Sequence, residues 1–142
     1  MIYVESVESL WKHRAEMYIP HKRGRLAPFY GAFHEIIANV HTGYEYTNHT
    51  ARHTDYWKYI TSYHPSWREV PLSRKAYRGL CKKFFDGINL YHDIKANGMR
   101  DPLEMHIVKG KRVLYAGMRR LVIAHVLGIP TVKYDLIDKD KL

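Results

Sequence analysis

Hydrophobic and polar positions are patterned far more regularly in the second half of the chain than in the first, and the change falls near residue 70. From 73 to 98, "SRKAYRGLCKKFFDGINLYHDIKANG" places Ala76, Leu80, Phe84, Ile88, Tyr91 and Ile94 at intervals of three and four, which predicts an amphipathic helix. Ser73 stands at the N-cap position and Gly98 where a left-handed C-terminal cap belongs. Gly87 is expected to divide the helix, with Asp86 capping its second piece. In "PLEMHIV" (102–108), Leu103, Met105 and Ile107 alternate with Glu104 and His106, the signature of a half-buried strand. A Lys109-Gly110 turn leads back into a second strand, "KRVLYA". Gly117 then opens the helix "MRRLVIAHVL", Gly128 closes it, and "PTVKYDLI" (130–137) predicts a last strand.

Ahead of residue 70 the chain is rich in Tyr, His and Trp, and polar residues interrupt its periodicity. Residues 4–18 read as a helix on the spacing of Val7, Leu10, Trp11, Ala15 and Tyr18. The basic turn "PHKRGR" (20–25) ends it, since Pro20 and Gly24 both resist continuation. A second helix is predicted over 27–43 from Phe29, Phe33, Ile36, Ile37 and Val40, with Gly43 as its stop. A short third covers 54–64, where Tyr56, Tyr59, Ile60 and Tyr63 recur at helical spacing. "WREVPL", from 67, reads as a short extended segment. The whole pattern is that of an α+β protein with a small mixed sheet, in which a helical N-terminal extension (1–66) precedes the better-patterned region 67–142.

Composition narrows the class of partner. The 142 residues suffice for one ordinary domain with a core. Of them 46% are hydrophobic and 26% charged, which excludes wholesale disorder. A formal net charge of +9 favours anionic partners, among them nucleic acid, nucleotides and phosphorylated metabolites. Cys81 is the one cysteine, so neither an intramolecular disulfide nor a thiolate zinc cluster can form within the chain. No stretch reaches the apolar length of a membrane span and the N-terminus lacks a long apolar leader, so the chain reads as cytoplasmic, with no membrane partner.

The chemistry-bearing feature is "LYAGMRRLVIAHVLG" (114–128), a strand, a glycine, two arginines and a helix. Gly117 permits a sharp turn and a close backbone approach, and the first turn of the helix offers unpaired N–H groups to an anion. Arg119 and Arg120 add planar donors suited to bidentate phosphate contact, although they oppose the helix dipole. Two readings follow: a solvated helix start, or a site for an arriving phosphate.

Residues 90–136 resemble the ParB/sulfiredoxin-like domain family. The likeness rests on Ile94 and Gly98, Pro102-Leu103, Gly117-Met118-Arg119-Arg120, Ala124, and Leu127-Gly128 followed by Ile129-Pro130, in that order and spacing. "WREVPLS" (67–73) matches the family's opening strand. The resemblance implies a mixed-sheet fold with a nucleotide pocket, in which Gly117, Met118, Arg119 and Arg120 line the phosphates and Gly98, Asp101 and Pro102 form the neighbouring loop. Relatives bind CTP, use ATP to repair an oxidised cysteine, or phosphorylate small molecules. Met118 stands where the ParB pattern has glutamate, and it occupies the place of the sulfiredoxin cysteine, so both of those chemistries fit this chain poorly.

Phosphoryl transfer would need Mg²⁺ and a base, for which Asp101 (metal ligand or base) and Glu69 are the candidates. His49 and His53 are four apart, but no HExxH pattern accompanies them and they read as a His/Tyr-rich surface. Arg52, Trp57, Lys58 and Tyr59 interleave cations with aromatic rings, which suits nucleic acid or, equally, packing of the N-terminal helices. The expected function is therefore binding of a nucleotide (ATP, ADP or CTP) with Mg²⁺, and transfer of its phosphate to a small acceptor or to water. The alternative is a non-enzymatic DNA- or RNA-binding protein, or a ParB-like nuclease.

Overall fold

In a computed structural model the structure describes residues 1–18 and 27–142, so the predicted basic turn at 20–25 lies outside the described residues. Strand β1 (Ile2–Ser6) runs directly into α1 (Val7–Lys12), and a 3₁₀ turn follows at Arg14–Met17. Then come α2 (Ala27–His41), the short α3 (Asn48–Ala51) and α4 (Asp55–Ile60), and the long α5 (Arg74–Asn97). The chain closes with β2 (Leu103–Val108), β3 (Lys111–Ala116), α6 (Met118–Leu127) and β4 (Thr131–Asp138). The four strands form one mixed sheet in the order β1-β4-β2-β3, with β2 and β4 parallel and the other two pairings antiparallel. The expected α+β class with a mixed sheet is what the molecule has.

The first surprise lies at the N-terminus. The helix expected over 4–18 is a strand followed by two short helical pieces. The Ser6 side chain accepts a hydrogen bond from the Ser9 N–H and so starts α1 late, while Ile2–Ser6 pairs with β4 in the register Ile2↔Asp135 to Ser6↔Thr131. The sheet thus crosses the expected division at residue 66. Conversely, the segment matched to an opening strand is not one: a 3₁₀ turn covers Pro65–Arg68 and no strand follows before α5. Pro71 lacks the N–H that a ladder needs, and Val70 is 94% exposed, with nothing to pack against.

Four consecutive buried residues, Leu121, Val122, Ile123 and Ala124, explain the layering. A helix apolar all round must be covered on both sides. Met118, Leu121 and Ala124 pack with Val7, Leu10, Leu103, Met105 and Leu114 against the sheet. Val122 and Ile123 face the other way, into the aromatic core of α2, α4 and α5, where Phe29, Phe33, Tyr56 and Phe84 meet. Gly87 does not break α5: a Cβ there would lie 2.5 Å from Phe33 Cε1, so the glycine lets α2 and α5 approach closely. Asp86, expected as a cap, sits in mid-helix 3.5 Å from Lys82 Nζ. On the far face of the sheet His106 is only 6% exposed, stacked on Tyr115 at 4.2 Å and joined to Glu104 at 3.0 Å. Among the described residues no helix is long and apolar enough to cross a membrane.

Candidate phosphate site at the start of helix α6

The site is assembled from three chain segments: the end of α5, the loop into β2, and the elbow between β3 and α6. Gly98 closes α5 at φ +75°, donating its N–H to the Ile94 carbonyl at 2.8 Å, and frees the chain to run through Asp101 and Pro102 into β2. Gly117 takes φ +107°, a left-handed geometry that disfavours any side chain. Its lack of a Cβ serves packing as well, since a Cβ would stand 2.6 Å from Leu103 Cδ2 and 3.0 Å from an Arg120 Nη. No side chain caps α6 and no acidic residue lies in its first turn, so the N-terminal amides carry their partial positive charge uncompensated by either device.

The two arginines behave differently. Arg120 reaches back across the elbow and donates from Nη1 to the carbonyl oxygens of Asp101 (2.8 Å) and Pro102 (3.1 Å). Burial pushes the Arg120 pKa below its usual value, the Asp101 charge opposes that shift, and Arg119 adds to it. Arg119 is half-buried, and its Nη1 is shut off from solvent with no hydrogen-bond partner among the described residues. A buried guanidinium nitrogen left without an acceptor is costly, which makes it the one group here that lacks what its chemistry demands.

Of the residues expected to form the pocket, the structure brings Asp101, Pro102, Gly117 and Arg120 together through those contacts. The Met118 side chain turns away into the core at 6% exposure, so only its backbone N–H belongs to the elbow. Asp101 is exposed at the rim. Glu69 is elsewhere: it lines a cleft of about 490 Å³ with Arg52, Trp57, Ser73, Arg74 and Tyr77. Asp101 and Glu69 therefore do not share a site, and among the described residues no three His, Cys, Asp or Glu side chains converge as a metal cage would require. A single carboxylate such as Asp101 suits Mg²⁺ that arrives already held by phosphates.

The aromatic-basic set is divided in the same way. Arg52 lies over the Tyr77 ring at 5.9 Å, and Trp57 is buried at the wall of the cleft. Lys58 pairs with Asp55 at 3.7 Å, and Tyr59 turns its ring toward Phe29 instead. His49 and His53 contact edge-to-face at 5.0 Å and gather no third ligand among the described residues. Sequence reasoning missed two features. One is the row Arg74, Arg78 and Lys82 on α5, whose spacing of four was available as a signal. The other is a ring cluster at the far end of α6, where Trp11 stacks on His125 at 4.0 Å beside His34, and no linear motif announces it.

Comparison with protein-family models, with curated proteins and with solved structures yields no match to this chain.

Proposed function

We propose that the start of α6 holds the phosphates of a nucleotide, with the chain transferring that phosphate to a small acceptor or to water. The observation that carries the reading is Arg119 Nη1, buried without an acceptor on the first turn of a helix that has neither a capping side chain nor an acid. A phosphate oxygen supplies what that nitrogen lacks, and the free amides of the same turn supply further donors. Arg120 is the positioning group: its bonds to the Asp101 and Pro102 carbonyls lock the loop that carries the Asp101 carboxylate against the helix start. In this arrangement Asp101 would be the residue that holds Mg²⁺, and the cation would supply charge neutralisation for the transfer. The likeness of residues 90–136 to the ParB/sulfiredoxin pattern points the same way.

The test is a thermal-shift panel with ATP, ADP, CTP and GTP, each with Mg²⁺, on the wild type and on Arg119→Ala. Ligand at a hundred times Kd stabilises the folded state by about 2.7 kcal/mol, an easily measured shift. The expected result is a shift with one nucleotide that Arg119→Ala abolishes. Removing an unpartnered buried charge leaves the unliganded protein as stable as before or slightly more so. No shift with any nucleotide sinks the reading.

A further inference from the structure

Cationic charge is not spread evenly over this molecule. Residues 52–83 contain eight of the 23 lysines and arginines but only two of the 14 acids, Asp55 and Glu69. The fold gathers this stretch onto one surface, made by α4, the segment 65–73 and the first half of α5. Arg74, Arg78 and Lys82 lie one turn apart along α5, and Lys75 stands beside them; all four are exposed. Arg52, Arg68, Arg74, Lys75 and Arg78 take part in no salt bridge among the described residues, while Lys58 and Lys82 have theirs with Asp55 and Asp86. Such a row of cations, uncompensated at Arg74 and Arg78 and about 12 Å long from Arg74 to Lys82 at the helical rise, suits the backbone of a polyanion.

Two aromatic groups adjoin the row. Gly79 allows the Trp67 indole to lie directly on the α5 backbone, its Nε1 3.1 Å from where a Cβ would stand. That puts a half-buried ring between Lys75 and Lys82, one turn to either side. At the N-terminal end of the row the cleft of about 490 Å³ is walled by Trp57 and Tyr77 and rimmed by Val70 and Leu72, which are 94% and 39% exposed. Apolar and aromatic surface beside cations has no use for the outside of a duplex, which presents phosphates there. It fits unstacked bases, whose faces are free. We infer that this surface binds single-stranded nucleic acid, with phosphates on Arg52, Arg74, Arg78 and Lys82 and bases against Trp67 and the Trp57–Tyr77 cleft.

The inference is independent of the α6 site, and one experiment separates the two. Fluorescence anisotropy with labelled oligo-dT and oligo-U, a duplex of equal length and anionic vesicles, across a KCl series, measures affinity and its salt dependence. The expected order places single strands first, with log affinity falling steeply with log salt. The double variant Arg74→Glu/Arg78→Glu weakens binding at least tenfold and flattens the salt slope by about 1.4, since each single-strand phosphate contact contributes about 0.7. Glutamate at position 74 suits a helix N-terminus, so this variant keeps its fold. Trp67→Ala costs about fivefold or more and Trp67→Phe restores most of that, as a stacking ring should. A control of equal charge on the sheet, Lys111→Glu/Lys133→Glu, and the Arg119→Ala variant both leave affinity within about twofold. Tighter binding to duplex or vesicles, or equal loss in the sheet control, overturns the inference. Loss on Arg119→Ala with none on Arg74→Glu/Arg78→Glu would move the strand to α6 instead.

Discussion

Arg74 and Arg119 both stand in the first turn of a helix that has no acidic residue there, yet their surroundings differ in every respect. At the start of α5 the Ser73 side chain accepts the Ala76 N–H at 3.1 Å, so the chain caps its own helix, and Arg74 and Arg78 are exposed to solvent. At the start of α6 a left-handed glycine caps nothing, Arg120 is tied to two carbonyls, and a nitrogen of Arg119 is buried without an acceptor. In the first arrangement no hydrogen bond or ion pair among the described residues fixes Arg74 or Arg78. The second is held by the two Arg120 bonds, and under the proposed function one anion completes it. A self-capped helix start thus presents its arginines as a surface, and an uncapped one with folded-in arginines presents a fixed set of donors.

The most damaging way to break this contrast is at Gly117. Alanine there must adopt φ +107° and bring its Cβ to 2.6 Å from Leu103 Cδ2. Strain and overpacking together cost about 2–4 kcal/mol, read as a lower urea midpoint, and nucleotide binding is lost with the elbow. An unchanged midpoint would show that the elbow is soft and that the rigid half of the comparison fails. A milder probe is the cap of α5. Ser73→Ala leaves the Ala76 N–H without its acceptor and costs about 1 kcal/mol, while oligonucleotide affinity is retained because the cations do not depend on the cap. Should affinity fall with stability, the α5 surface would be as geometry-dependent as the α6 site.

How far the sequence foretold these elements depends on how local their causes are. From Ser73 onward nearly every element was legible, because the spacing from Ala76 to Ile94, the alternation in β2 and the glycines at 98, 117 and 128 act within a few residues of themselves. What misled was long-range. Ile2–Ser6 is a strand only because β4, more than 120 residues away, offers it a partner. Gly87 reads as a breaker until Phe33 of α2 is seen to occupy the space of its missing side chain. In the candidate site the glycine and arginines were visible in "AGMRR", but no local rule says that Met118 faces the core or that Arg120 spends its donors on Asp101 and Pro102. Glu69 was assigned to the wrong neighbourhood for the same reason: its place follows from the path of 65–73 over α5.

The smallest expected effect sharpens the comparison at the other end of α6, where basic side chains cluster again. There His34 lies beside His125 and Arg14, packed on the edge of Trp11 at 4.9 Å, while Glu8 accepts or shares the proton of His125 Nδ1 at 2.9 Å. Burial first, then the charges of His125 and Arg14, push the His34 pKa below its ordinary value of 6.5. The unfolded chain therefore takes up this proton more readily than the folded one. The contribution of His34 to stability is complete above the ordinary pKa and declines as pH falls from there through the depressed folded value. Unfolding midpoints measured between about pH 5 and pH 8 should fall toward the acid end, and His34→Gln should remove part of that slope while leaving the midpoint near pH 8 little changed. A slope unaltered by the substitution would mean that His34 reaches water freely, and that the far end of α6, like the face of α5, keeps its basic groups solvated.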